Sequence, residues 1–204
     1  MIEKNSSPLE INLLTLGNST VGKSCFIYRY VYDKFRKYTF NTIGFDCLVK
    51  NIKLPSGKNI RIKFHDTAGI ERYNSIALNL INKADGILLM YDITNIETFK
   101  KVPIWIESIK EKKGNSLPIV LIGNKCDLID ERKVSKEEGE NEAKNNGFNF
   151  FETSCKENIN IENAIKAIVN ILISEEKYEI KNEKRESIIL DKKKLKKFKI
   201  KCKC

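Results

Sequence analysis

Apolar positions recur along this chain in three rhythms, and each predicts a different element. Residues 86–91 are a continuous apolar run, as expected of a strand covered on both faces; 9–16 is an apolar run that reads as a buried strand, and 117–123 reads as a further strand. Residues 59–65 alternate instead, with Ile60, Ile62 and Phe64 on one side and Arg61 and Lys63 on the other. They follow a predicted strand at 47–54 and the turn Pro55-Ser56-Gly57-Lys58, so strands two and three pair antiparallel with one face wet. Residues 148–153 form a sixth strand. Helical spacing marks 25–31, then 96–112, where Phe99, Val102, Ile106 and Ile109 fall three and four apart and Pro103 must sit in an early turn or kink the helix. A polar helix is expected at 135–145. At 159–173, Ile161, Ala164, Ile165, Ile168, Val169 and Leu172 form the stripe of a packed helix. Residues 33–46 show no period.

Strands alternating with helices of these lengths predict an α/β fold. The expected sheet has six strands, mostly parallel with one antiparallel edge strand, and helices on both faces. The chain divides into an N-terminal extension at 1–8, a domain at 9–173 and a flexible basic tail at 174–204. In such a sheet ligands sit at the carboxyl ends of the strands. The chemistry-bearing stretches follow strands one, three, five and six, so they are expected to converge on that edge.

Charge sharpens this division. The chain of 204 residues carries 37 Lys and Arg against 27 Asp and Glu, a net +10. Twelve of those cations and six of those acids lie between Ser174 and the C-terminus, leaving the body close to neutral. That distribution argues against a nucleic-acid surface and for a C-terminal arm that meets something anionic. The first eight residues lack the apolar core of a secretory leader, and no apolar stretch approaches the ~20 residues of a membrane span. The six cysteines have no framework spacing, so Cys25, Cys47, Cys126 and Cys155 are expected as thiols. His65 is the lone histidine, expected as a packing residue.

Gly17-Asn18-Ser19-Thr20-Val21-Gly22-Lys23-Ser24 fits the phosphate-cradling pattern G-x-x-x-x-G-K-[ST] and lies between a predicted strand and a predicted helix. Backbone N–H groups from Ser19 to Cys25 can wrap a phosphate chain, Gly17 and Gly22 permit the wrap, and Lys23 brings an ammonium to the outer phosphates. The Ser24 hydroxyl suits a bridging Mg²⁺. Asp66, in Asp66-Thr67-Ala68-Gly69, adds a carboxylate to that metal shell, and Gly69 lets a backbone N–H approach a terminal phosphate. Asn124-Lys125-Cys126-Asp127 discriminates most. The Asp127 carboxylate can accept two parallel hydrogen bonds from a base with adjacent N–H donors, which guanine has and adenine lacks. Lys125 can lay its stem over the base, and Asn124 can tie this loop to the phosphate loop. A plain helix-capping loop is the alternative for this stretch.

Taken together and in order, these motifs resemble those of the small GTPases of the Ras superfamily over residues 9–173. Thr153-Ser154-Cys155-Lys156 stands where that family commonly has Ser-Ala-Lys, implying that the Ser154, Cys155 and Lys156 backbone meets the guanine oxygen. The resemblance further implies a G-domain fold, GTP and GDP as substrate and product, and Mg²⁺ held by Ser24, Thr42 and Asp66. It makes Thr42 the switch threonine that reaches metal and γ-phosphate in the GTP state, and Phe35 an edge-on neighbour of the base. Lys23, Thr42 and Gly69 are then the catalytic set. Thr42-Ile43-Gly44-Phe45-Asp46 and Leu89-Met90-Tyr91-Asp92-Ile93-Thr94 are similar to the Rab branch. So is the ending Cys202-Lys203-Cys204, which resembles a double geranylgeranylation signal beside a lysine run. A metal-binding Cys pair is the alternative for that ending. The Rab resemblance implies vesicle trafficking at the cytoplasmic face of endomembranes, with a soluble cytosolic pool. Its implied partners are exchange factors, GTPase-activating proteins, GDP-dissociation inhibitor, Rab escort protein with prenyltransferase, and effectors.

The chain departs from the family pattern in two places. Ile70 stands where Asp-Thr-Ala-Gly is normally followed by Gln, so the amide that orients the attacking water is missing and slow intrinsic hydrolysis is expected. On the surface that Rab effectors usually read, Cys47, His65 and Leu80-Ile81 replace Phe, Trp and a Tyr pair.

Overall fold

The computed structural model describes residues 9–35, 45–67 and 74–174. Thr42, Gly69, Ile70, Cys202 and Cys204 lie outside them. The chain divides into two units, Met1–Val169 and Asn170–Cys204. The first contains β1 (Leu9–Leu16), α1 (Lys23–Tyr32), β2 (Phe45–Lys53), β3 (Asn59–Thr67), α2 (Asn74–Lys83), β4 (Gly86–Asp92), α3 (Ile96–Lys100), α4 (Val102–Lys113), β5 (Ile119–Asn124), α5 (Lys136–Asn146), β6 (Asn149–Thr153) and most of α6 (Ile161–Ser174). Of the second, only 170–174, the end of α6, are described.

The strands form one sheet in the order β2-β3-β1-β4-β5-β6. β1 pairs parallel with β3 and β4, β4 with β5, and β5 with β6, while β2 pairs antiparallel with β3. The expected sheet is therefore present, with its antiparallel strand at the edge. Since β1, β3, β4, β5 and β6 run the same way, their carboxyl ends share one edge.

Burial explains the strand signals. Every residue of β4 and β5 is buried, which is why 86–91 reads as an unbroken apolar run. On β3, Ile60, Ile62 and Phe64 are fully buried and Arg61 is exposed. One core layer joins Leu14, Leu89 and Leu121 of the sheet to Ile81 of α2, Ile106 and Ile109 of α4 and Ala143 of α5. α1 lies against β2 and β3. On α6, Ile168 packs so closely over Gly86 that a β-carbon at position 86 would stand 2.8 Å from its Cδ1.

Two helical features differ from the sequence reading. The expected helix over 96–112 is two helices meeting at Lys101. The first is capped by Asn95, whose side chain accepts from Glu97 N, and Pro103 occupies the first turn of the second, where a missing N–H costs little. Helix α2, for which no element was predicted, spans a stretch of mixed polarity before β4.

α5 is a polar helix fixed by a capping box: Ser135 N donates to Glu138 Oε2 at 2.7 Å, and Glu138 N donates to Ser135 Oγ at 3.2 Å. It carries a glycine, Gly139, in its second turn. A β-carbon there would lie 2.4 Å from the Tyr91 hydroxyl and 2.5 Å from the Phe150 ring, and Tyr91 is fully buried. Inside a helix Gly→Ala ordinarily gains about 1 kcal/mol. Here overpacking against two rigid rings reverses the sign: Gly139→Ala is expected to destabilise by about 1–3 kcal/mol, read as a lowered melting temperature. An unchanged or raised Tm would mean that α5 slides off the sheet at no cost.

Candidate functional site

The loop after β1 turns sharply because three of its residues take positive φ: Gly17 at 135°, Thr20 at 65° and Gly22 at 101°. Glycine is required at both ends. A β-carbon at Gly17 would stand 2.1 Å from the Met90 carbonyl oxygen of β4, and one at Gly22 would stand 2.3 Å from Asn124 Nδ2. The loop is thus pressed against the ends of β4 and β5, and it opens into α1, whose first residue is Lys23. A wrapped run of backbone N–H groups ending at a helix N-terminus is suited to a polyphosphate.

Lys23 is nearly buried and donates to two carbonyls of the loop it closes, Gly17 O at 3.0 Å and Asn18 O at 2.8 Å. Burial lowers its pKa from 10.5 to about 8, and the nearby Asp66 charge opposes that shift only in part. The ammonium is therefore poorly solvated and poised for an anion.

Ser24, the next residue of α1, donates its hydroxyl to Asp66 Oδ2 at 2.5 Å. Asp66 is buried near the end of β3, one residue further inside the strand than its predicted boundary, and Thr15 of β1 donates to its other oxygen at 3.4 Å. One hydroxyl and one carboxylate beside a phosphate loop form the donor set that Mg²⁺ takes when phosphates supply further oxygens. Among the described residues no group of three His, Cys, Asp or Glu could cage a metal without such help. The residues present fit Mg²⁺ together with a polyphosphate.

The end of β5 connects this phosphate half to a second half. Asn124 is buried, and its Nδ2 donates to Val21 O of the phosphate loop at 2.8 Å. Its Oδ1 accepts from Thr153 Oγ1 at 3.0 Å and lies 3.5 Å from Cys155 Sγ. Burial pushes that thiol up to about 12, so it is held neutral. Lys125 takes a positive φ of 69° and pairs with Asp92 at the end of β4 at 2.5 Å. Asp92 is itself buried and accepts both the backbone N–H and the hydroxyl of Thr94. Cys126 N donates to Thr153 O at 3.0 Å, which ties the start of this loop to β6. Asp127 is half-buried, and no hydrogen bond to its carboxylate is made among the described residues.

The loop after β6 is closed by the pair Ser154 and Ile159, each donating its N–H to the other's carbonyl. Ser154 is fully buried and its hydroxyl accepts from Glu157 N at 3.0 Å, while Lys156 is exposed. Phe35, past the end of α1, is 41% exposed, enough to offer a ring face to a ligand.

Ser19, Thr20, Val21, Lys23, Ser24, Cys25, Asp66, Asn124, Lys125, Asp127, Ser154, Cys155 and Lys156 all fall at the carboxyl edge or in the loops leaving it. Residues that support them without any local sequence signal are Arg29 and the pair Arg132–Glu152, in which the guanidinium grips both carboxylate oxygens at 2.5 and 2.9 Å. Their partners are distant in sequence. Cys25, Cys47, Cys126 and Cys155 are free thiols, as expected.

Residues 12–174 match the model of the Ras family. The chain is 42% identical to the Ras-related protein Rab-3C of Bos taurus over 160 residues, covering 78% of this chain and 70% of that protein. It is 44% identical to the GTP-binding protein Rab-3D of Rattus norvegicus over a stretch covering 78% and 73%. To the Ras-related protein Rab-10 of Diplobatis ommata it is 38% identical over 185 residues, covering 91% of both. With the phosphate loop, the Ser24–Asp66 pair and the Asn124 junction assembled on one sheet edge, the chain belongs to the Ras family, as a small GTPase of the Rab branch.

Proposed function

We propose that this protein binds GDP and GTP with Mg²⁺, hydrolyses GTP slowly unaided, and acts as a lipid-anchored switch in vesicle trafficking. The carrying observation is the Asn124 junction: one buried amide bonds the phosphate loop to the two loops suited to a base. In this reading the N–H groups of Ser19 to Cys25 and the Lys23 ammonium hold the phosphates. Ser24, Asp66 and Thr42 serve Mg²⁺, which supplies charge neutralisation to the phosphoryl oxygens. Asp127 selects guanine by its paired acceptors, Lys125 and Phe35 flank the base, and the Ser154–Cys155–Lys156 backbone meets the guanine oxygen. Gly69 and Thr42 respond to the γ-phosphate.

The domain that does this is 9–173, and 174–204 is a basic tail carrying Cys202 and Cys204 for prenylation. Among the described residues no helix is long and apolar enough to cross a membrane, so attachment rests on the tail. The Rab branch supplies the partner classes: exchange factor, activating protein, GDP-dissociation inhibitor, escort protein with prenyltransferase, and effectors. The location that follows is the cytoplasmic face of endomembranes with a cytosolic pool.

Ile70 favours a second reading, a largely GTP-locked module that recruits effectors. The nucleotide bound after purification separates the two: GDP marks a cycling enzyme, GTP a locked module. In single-turnover assays Ile70→Gln is expected to hydrolyse GTP roughly 10- to 100-fold faster than the native chain, because an amide again orients the water. Equal rates would show that Ile70 does not limit hydrolysis.

Lys23 gives a pH signature. Free, its pKa of about 8 leaves about half of it charged at pH 8. A bound diphosphate favours the ammonium and raises that pKa, so binding takes up a proton and affinity falls as pH rises above 8. Calorimetry of GDP binding at pH 8, in buffers of different ionisation enthalpy, should show uptake of about half a proton per nucleotide; none would mean that Lys23 is already fully charged.

The tail makes a separate prediction. The Cys202→Ser/Cys204→Ser double variant should move from the membrane to the soluble fraction, and each single variant should retain weak, reversible binding, since one chain anchors only marginally. Native-like membrane recovery of the double variant would remove the lipid reading.

A further inference from the structure

We propose that Arg29 is a positioning residue for the base-binding loop: from helix α1 it sets the orientation of the peptide units through which residues 154–156 meet the guanine oxygen. This rests on the guanine-nucleotide reading above. Arg29 lies in the helix that begins at the phosphate loop, and its side chain is 13% exposed. Its guanidinium reaches across to the other end of the site, with Nε donating to Cys155 O at 2.7 Å and Nη2 to Lys156 O at 2.8 Å. Nη1 donates to Asp33 O at 3.2 Å at the C-cap of the same helix. The Asp33 carboxylate lies 3.8 Å away and also accepts from Asn158 Nδ2 at 3.3 Å. One rigid fork thus holds two consecutive carbonyls of the loop.

Peptide geometry converts that grip into orientation. A trans peptide points its C=O and the following N–H in opposite directions, so aiming Cys155 O at Arg29 aims Lys156 N–H away from it. Ser154 O is taken by Ile159 N on the far side of the loop, which likewise directs Cys155 N–H away from Ile159. Within the loop, Ser154, Glu157 and Ile159 spend their N–H groups on Ile159 O, Ser154 Oγ and Ser154 O. Cys155 N–H and Lys156 N–H bond to no backbone carbonyl among the described residues, and the loop sits beside Asn124 through the Cys155 thiol. Cys155, Lys156 and Asn158 thus keep their N–H groups off the backbone carbonyls of the loop, and of these only Lys156 N–H belongs to a peptide whose carbonyl Arg29 holds at Cys155, with Cys155 N–H on the peptide before it. Because the same helix starts at Lys23 and Ser24, Arg29 also makes the phosphate-binding and base-binding halves one rigid piece. A lysine has no fork and cannot hold both carbonyls.

The test pairs each variant with two ligands, GDP and 2-aminopurine riboside diphosphate, which lacks the six-position oxygen. Equilibrium binding is measured for the native chain, Arg29→Gln and Arg29→Lys, with melting temperatures alongside. The expected result is a loss of roughly 10- to 100-fold in GDP affinity for Arg29→Gln, a smaller loss for Arg29→Lys, and for both a loss of no more than a few-fold on the 2-aminopurine nucleotide. A residue that only supports the fold would weaken both ligands alike. Equal losses on the two ligands, or no loss on GDP, overturn the proposal; the conservative Arg29→Lys keeps this readable if Arg29→Gln folds poorly. A native chain that binds ADP as tightly as GDP would instead overturn the guanine reading itself.

Discussion

The site depends on one carboxamide. Asn124 closes β5, buried, and divides its hydrogen bonds between the phosphate loop on one side and the end of β6 on the other. A buried amide left without partners costs roughly 1–3 kcal/mol per orphaned group, so the arrangement in which Val21 O and Thr153 Oγ1 both engage it is strongly preferred over any in which the loops drift apart. The contact is close on both counts: Gly22 has no side chain because Asn124 occupies the space where one would be. The phosphate loop and the end of β6 are thereby held in a fixed relation before any ligand arrives, and such preorganisation lowers the ordering cost of binding.

That relation needs a stiff frame, and the parallel sheet provides it. β4 and β5 are buried along their whole length, and the Gly17 turn is fitted against the Met90 carbonyl. Thr20 and Lys125, both beside this frame, hold positive φ without being glycine, as do Asp33, Asn158 and Asn160 among the described residues. Lys125 is kept there by its pair with buried Asp92, which Thr94 fixes in turn. Lys23 illustrates the same economy in electrostatics. Its burial disfavours the ammonium, and Asp66 compensates only in part, so what the folded chain lacks is what a polyphosphate would supply.

Much of this was legible in the residues, and for identifiable reasons. β1 matches its predicted span because Leu9, Ile11, Leu13, Leu14 and Leu16 are all buried while Glu10 and Asn12 are only partly so, and the Gly17 turn ends it. The phosphate loop, Asp66 and Asn124 were legible because their chemistry is local, a few residue types at fixed spacing after a strand. Helix α3 and helix α4 were read as one because the 3.6-residue period runs through Lys101, whereas the Asn95 cap and Pro103 act on backbone hydrogen bonds that periodicity does not see. α2 was missed although Ile76, Ala77, Leu80 and Ile81 fall at helical spacing, because that signal spans fewer than two turns. Arg29 could not have been singled out: its carbonyl partners are 126 and 127 positions away, and only the assembled fold brings them within reach.

The β2–β3 edge obeys a different physics from the nucleotide site. Cys47 and His65 are directly paired across the two strands. His65 Nε2 lies 3.2 Å from Asn12 Oδ1, and Asn12 donates through both its backbone and side-chain nitrogens to Asp85. Burial, with the Lys63 and Lys83 charges, holds the imidazole below its ordinary pKa, so it is neutral near pH 7, and its Nδ1 is buried without a partner. Of Leu80 and Ile81, the second is wholly buried in the core, leaving Leu80 the only partly exposed one of the two. A face built this way presents a small polar network and a thiol instead of a wide apolar ring surface. Because aromatic anchors supply much of the energy in protein interfaces, a partner at this edge would have to be held by polar contacts and by the thiol more than by ring packing.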